Sequence, residues 1–151
     1  MITMLLSEIA KACDGHLVGT DCQISSVSTD SRHIEAQGLF VALIGERFDA
    51  HDFIPAVQEQ GATALLVSKE VDTSLPQVIV SDTQKALGLM AKHVHQVCHT
   101  FTFALTGSCG KTTVKEMLAS ILTRTGEVLA TAGNFNNEIG VPLTLLRSQP
   151  S

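Results

Sequence analysis

The stretch "TGSCGKTTVKEM", from Thr106 to Met117, constrains this chain more than any other. A glycine-bearing loop followed by Lys-Thr-Thr works as a phosphate cradle only in one setting. It needs an apolar strand in front, an amphipathic helix behind, and a layered α/β fold to hold both. "FTFALTG" (Phe101 to Gly107) supplies the apolar run before it, and Val114, Met117, Leu118, Ile121 and Leu122 recur at helical spacing after it. Gly107 and Gly110 let backbone N–H groups approach phosphate oxygens, and the helix N-terminus adds unpaired donors and a positive dipole end. Within that loop Lys111 is the phosphate-facing cation, Thr112 offers a hydroxyl to Mg²⁺, and Thr113 offers one to a phosphate oxygen. Ser108 and Cys109 complete the cradle. Cys109 has no general base beside it and is read as a small loop residue, not a nucleophile.

The loop departs from the common pattern G-x-x-x-x-G-K-[ST], because the position of the first glycine holds Leu105 and Gly107 stands in its place. Its carboxylate partners are also missing. Phosphoryl transfer needs an acidic residue for Mg²⁺, usually at the end of an apolar strand, and the acids after Thr113 are Glu116, Glu127 and Glu138. None of them ends such a strand.

The remaining pattern alternates strands and helices. A first helix carries Leu6, Ile9, Ala10 and Cys13 and stops at Asp14-Gly15. "GLFVALIG" (Gly38 to Gly45), "TALLVS" (Thr63 to Ser68) and "QVIVS" (Gln77 to Ser81) read as buried strands. Between the first two, a helix is expected from an Asp52 N-cap to a Gly61 C-cap. A longer helix follows Asp82, with Leu87, Met90, Ala91, Val94, Val97 and Cys98 as its stripe. "EVLATA" (Glu127 to Ala132) is expected to be a strand and "IGVPLTLL" a helix. The fold class is α/β: a small N-terminal α/β domain over residues 1–82, a connecting helix over 83–100, and the first part of a P-loop-type ATPase domain over 101–151.

Several function classes are disfavoured. A formal net charge of −5 argues against general nucleic-acid binding, which shows as a basic excess. No apolar run approaches the roughly 20 residues of a bilayer span, and the N-terminus lacks the build of a signal peptide. Cys13, Cys22, Cys98 and Cys109 show no paired spacing, which fits free thiols in the cytoplasm. His95 and His99 share a helix face, but no third metal ligand accompanies them; a solvated helix end is the simpler reading.

"TGSCGKTT" resembles the ATP loop of the Mur ligases, the ATP-dependent amide-forming enzymes of peptidoglycan precursor synthesis, whose usual form is close to TGTNGKTT. The displaced glycine is regular there. "STDSRHIEAQGLFVALIGERFDAHDF" (Ser28 to Phe53) is similar to their N-terminal substrate-domain signature. Paired with "TAGNFNNEIGVPLTLLR" (Thr131 to Arg147), "GERFDAHDF" narrows the resemblance to the member that joins D-alanyl-D-alanine to UDP-MurNAc-tripeptide. The resemblance covers essentially the whole chain.

It implies a three-domain, cytoplasmic, monomeric enzyme that uses ATP and Mg²⁺, activates a carboxylate as an acyl phosphate and lets an amine attack it. It further implies that Gly107 to Thr113 hold ATP, with Lys111 the catalytic cation and Thr112 on Mg²⁺. Ser31 and Arg47 would contact the uridine or diphosphate, and Asn134, Asn136 and Asn137 would line the cleft near the reacting end. Plainer roles stay open: a turn cap for Asp30, Ser31 and Arg32, a solvated charge for Arg47, self-stabilised turns for the asparagines, packing or capping for His51. The chain is expected to be the N-terminal portion of a longer ligase, inactive alone. A sibling ligase adding one amino acid, and a non-catalytic nucleotide-binding module, are the competing readings.

Overall fold

The computed structural model describes residues 1–133 and 137–150. Two apolar runs organise it. β5 (Gly38–Val41) and β6 (Ala64–Val67) are buried along their whole length, because both faces of the sheet are covered. They lie side by side in a five-stranded sheet of order β2-β7-β6-β5-β4, completed by β2 (His16–Val18), β4 (Ser26–Ser28) and β7 (Gln77–Ile79). β4, β5, β6 and β7 run parallel, and β2 closes one edge antiparallel to β7. A separate two-stranded ribbon pairs β1 (Met4–Leu5) with β3 (Gln23–Ile24). The α/β class is as the sequence pattern implies; the parallel pairing is added by the structure.

Period-two alternation sends strand residues to two cores. On one face Leu39, Val41, Leu66 and Val78 meet α1 (Leu6–Ala12), α3 (Thr83–Cys98) and Leu146 of α5 (Gly140–Leu146). On the other, Phe40, Leu65 and Val67 meet Ala50, Ile54 and Val57, at and within α2 (Ile54–Glu59). α3 starts at an Asp82 N-cap, whose carboxylate accepts the Gln84 and Lys85 N–H groups, and ends at His99 in the left-handed conformation. Its expected stripe is buried except for Val97, which is 47% exposed; Cys98, four residues beyond Val94, takes the inward position instead. Thr83 Oγ1 donates to Ala42 O at 2.8 Å and so ties the helix start to the end of β5.

Three local expectations change. The helix before β6 is capped by Asp49, not Asp52: its carboxylate accepts the His51 N–H, and a 3-10 turn over Ala50–Phe53 leads into α2. Neither 101–107 nor 127–132 is a strand, for neither segment pairs with another among the described residues. A strand exists through its ladder, and apolar patterning alone does not supply one. For the same reason the forecast buried face of α4 (Lys111–Leu122) is open, with Val114 46%, Met117 60% and Ile121 61% exposed.

Candidate functional site

The candidate loop at 107–110 has the backbone its glycines permit, although the strand expected in front of it does not form. Gly107 has φ +155° and Gly110 φ +78°, the second in the left-handed region where a side chain is strained. Gly110 is the N-cap, and Lys111 opens α4, so Lys111, Thr112 and Thr113 occupy the turn whose N–H groups have no helical acceptor. The first bond of the helix interior is Val114 N–H to Gly110 O at 3.0 Å. Ser108, Cys109, Lys111, Thr112 and Thr113 are exposed, and Thr112 and Thr113 edge an open hollow that continues past Glu116 and Met117.

Such a helix start, with one ammonium and two hydroxyls, fits a polyphosphate. For Mg²⁺ the chain offers the Thr112 hydroxyl, and no group of three His, Cys, Asp or Glu side chains able to hold a metal occurs among the described residues. Mg²⁺ commonly takes most of its oxygens from phosphates and water, so that donor set is compatible with an ion brought in by a nucleotide.

One participant escapes a reading of the sequence. Lys115 Nζ donates to Thr131 O at 2.6 Å and Gly133 O at 3.4 Å, and pairs with Glu116 at 3.1 Å. It thereby ties α4 to the stretch leading into the asparagines. Nothing in the sequence separates it from an ordinary solvated helix lysine. Asn137 Oδ1 accepts from Ile139 N–H at 3.2 Å and Gly140 N–H at 2.6 Å, a capping role at the start of α5. Asn134 and Asn136 lie outside the described residues. The neighbouring Glu138 accepts from Gln84 Nε2 at 2.6 Å, linking the starts of α5 and α3.

Ser31 and Arg47 come to one end of the sheet. Ser31 follows β4 and Arg47 follows β5, and these strands are parallel neighbours. Their loops therefore leave the carboxyl end, where open α/β sheets bind ligands. Ser31 is half-buried in a turn that Asp30 organises by accepting from Arg32 N–H, Nε and Nη2 at 2.9, 3.0 and 3.0 Å. Arg47 is exposed on a turn closed by Gly45 N–H to Phe48 O at 2.9 Å. A Cβ at Gly45 would sit 2.3 Å from the Phe48 ring, so a larger residue there would have to push that exposed ring aside.

Below that turn His51 is buried. Its Nε2 accepts from Ser68 N–H at 3.0 Å, which leaves the ring proton on Nδ1, donated to Asp49 Oδ1 at 2.6 Å. Lys69 Nζ reaches the other Asp49 oxygen at 3.2 Å.

Both aspartates are held down to about 2: Asp30 by the Arg32 side chain first, and Asp49 by the His51 backbone N–H, then its ring and the Lys69 ammonium. A lowered carboxyl contributes stability above its ordinary value of about 4 and loses it as the pH falls through its folded value. The urea midpoint is accordingly expected to drop between about pH 4 and pH 2. Asp49→Asn should flatten that drop more than Asp30→Asn. Asp49 joins distant segments, while Asp30 and Arg32 stay neighbours in the unfolded chain.

Residues 23–99 match the profile described as Mur ligase family, catalytic domain, and residues 105–151 match the Mur ligase middle domain. The chain is 52% identical over 150 residues to the UDP-N-acetylmuramoyl-tripeptide–D-alanyl-D-alanine ligase of Escherichia coli K12, covering 99% of this chain and 33% of that protein. It superposes on a crystal structure of MurF from Acinetobacter baumannii with TM-score 0.93 and 38% identity, over 99% of this chain and 34% of that one. MurF ligase from Thermotoga maritima, solved in complex with ADP, gives TM-score 0.66 and 33% identity, over 82% of this chain and 29% of that one. The chain spans about a third of the length of the relatives it matches.

Proposed function

The chain belongs to the Mur ligase family, and from that membership we propose that it forms part of an ATP-dependent ligase joining D-alanyl-D-alanine to UDP-MurNAc-tripeptide in peptidoglycan precursor synthesis. Similarity across 99% of the chain to a ligase of that name carries the reading. In it, residues 1–82 hold the UDP end of the substrate, 83–100 connect, and 101–151 begin the ATP-binding domain. The setting is cytoplasmic and the complete enzyme monomeric; no described helix is long and apolar enough to cross a membrane.

The work divides among named residues. Gly107 to Gly110 present backbone N–H groups to phosphate oxygens, and the N-terminal N–H groups of α4 extend that cradle. Lys111 neutralises phosphate charge as it develops, Thr112 gives one oxygen to Mg²⁺, and Thr113 donates to a phosphate oxygen. Ser31 and Arg47 hold the uridine diphosphate at the carboxyl end of β4 and β5, which fixes the far end of the substrate while its peptide end extends toward the nucleotide. ATP, when bound, supplies the phosphoryl group that activates the tripeptide carboxylate. Asn134, Asn136 and Asn137 border the reacting end, with Asn137 also setting the start of α5.

Calorimetry tests this. The chain is expected to bind UDP-MurNAc-tripeptide and to bind Mg²⁺-ATP weakly, and Arg47→Ala is expected to weaken the former by about tenfold, the scale of one charge-assisted hydrogen bond. Tight Mg²⁺-ATP binding with no uptake of the UDP compound would favour a nucleotide-binding module instead.

A further inference from the structure

The Asp49, His51 and Ser68 side chains line up as a catalytic triad would, yet the geometry excludes a nucleophile. His51 Nε2 already accepts the Ser68 backbone N–H at 3.0 Å, while Ser68 Oγ stands off at 3.4 Å. The ring has no free lone pair with which to act as a base. It makes two structural bonds, and what those bonds join is informative.

We propose that His51 is a positioning residue for the nucleotide end of the substrate: it clamps the turn bearing Arg47 to the loop that leaves β6. The inference rests on the reading of Arg47 as a contact to the uridine diphosphate. Ser68 and Lys69 directly follow β6, and Asp49 closes the turn after β5 by bridging to Ile44. His51 therefore couples the loops of two neighbouring parallel strands at the same end of the sheet.

The turn has few other supports. Gly45 N–H bonds within it to Phe48 O, Ala50 N–H bonds to Leu43 O at 2.9 Å, Asp49 Oδ1 accepts the His51 backbone N–H at 2.9 Å, and Lys69 reaches Asp49 from a largely exposed position. Arg47 itself forms no ion pair among the described residues, and Ile44 and Phe48 beside it are 57% and 54% exposed. Its direction is thus inherited from the base of the turn. A contact arginine held in place before binding loses less conformational freedom on meeting its ligand, and that saving appears as affinity. Removing the imidazole leaves Ser68 N–H without its acceptor and Asp49 Oδ1 with the His51 backbone N–H alone, so the turn loses its tie to the β6 loop through the ring and is expected to sample more directions.

The experiment titrates uridine diphosphate into the 151-residue chain, comparing wild type, His51→Gln, Asp49→Asn, Arg47→Ala and the two doubles that carry Arg47→Ala. Amide hydrogen exchange is followed at Gly45, in the turn, and at Leu66 and Val78, in the sheet. His51→Gln is expected to weaken binding about tenfold, within the coupling range of contacting residues, and to have no further effect once Arg47 is alanine. Gly45 exchange should quicken while Leu66 and Val78 stay protected. Equal losses with and without Arg47 would show general support, not positioning, and overturn the proposal. So would faster Gly45 exchange with unchanged affinity. If His51→Gln also deprotects the sheet, the milder Asp49→Asn makes the same comparison from the other end of the clamp. Failure of the wild-type chain to bind uridine diphosphate, or full binding by Arg47→Ala, would instead sink the reading of Arg47, and the positioning role with it.

Discussion

Lys111→Met should slow ADP formation by the proposed ligase by about 100-fold or more, the usual cost of deleting one preorganised group that faces developing charge. ATP, UDP-MurNAc-tripeptide and D-alanyl-D-alanine are supplied together, and ADP is measured with time. Methionine keeps the stem volume and the helix, so the loss reports the ammonium alone. Lys111 is the first residue of α4, directly after the left-handed Gly110, and no ion pair among the described residues engages it. Lys115, one turn later, is spent on Thr131 O, Gly133 O and Glu116, and cannot take over. Backbone donors remain, so residual activity should survive. A variant that turns over at the wild-type rate would remove Lys111 from the mechanism.

Phe40→Ala is expected to cost about 3–5 kcal/mol of unfolding free energy. That is a large share of the roughly 5–15 kcal/mol typical of a domain. Phe40 is fully buried at the centre of the sheet face that α2 covers, and it is the only aromatic among the eight buried residues of that core. Its neighbours there include Ala42, Ala50 and Ala62, which have no side chain to spare for filling a void. Urea unfolding measures the effect, with Val97→Ala as the comparison. Val97 is half exposed on α3, and its truncation should stay within about 0.5 kcal/mol. A Phe40→Ala loss below about 1 kcal/mol would mean that this core repacks freely and that its alanines do collapse onto the void.

What is legible in the sequence is what is locally determined. "GLFV" and "ALLV" announce strands covered on both faces, and the stripe from Leu87 to Cys98 announces a helix against them. The candidate phosphate loop stands out because glycine freedom, ammonium and hydroxyl all sit within a few residues. The short strands His16–Val18, Gln23–Ile24 and Ser26–Ser28 carry no such signal, since each is two or three residues long and takes its order from pairing, not from pattern. The converse error has the same origin: 101–107 and 127–132 carry strand-like sequence without a paired neighbour. His51 joins Asp49 to Ser68, 17 residues further on, and a contact at that separation leaves no local signature. The cap falls on Asp49 and not on Asp52 for a similar reason, because the two are equally good caps until the fold chooses.

The docking of α5 sets a timetable for synthesis. Leu146 belongs to the same core as Leu39, Leu66 and Met90, and α5 packs on both α3 and β4. As the chain leaves the ribosome, the early strands and α3 have emerged long before Gly140, and one apolar face must stay uncovered until then. Premature termination anywhere between Cys98 and Gly140 would release a sheet whose α2 side is finished and whose α3 side lacks its last cover, a form suited to recognition by chaperones and proteases.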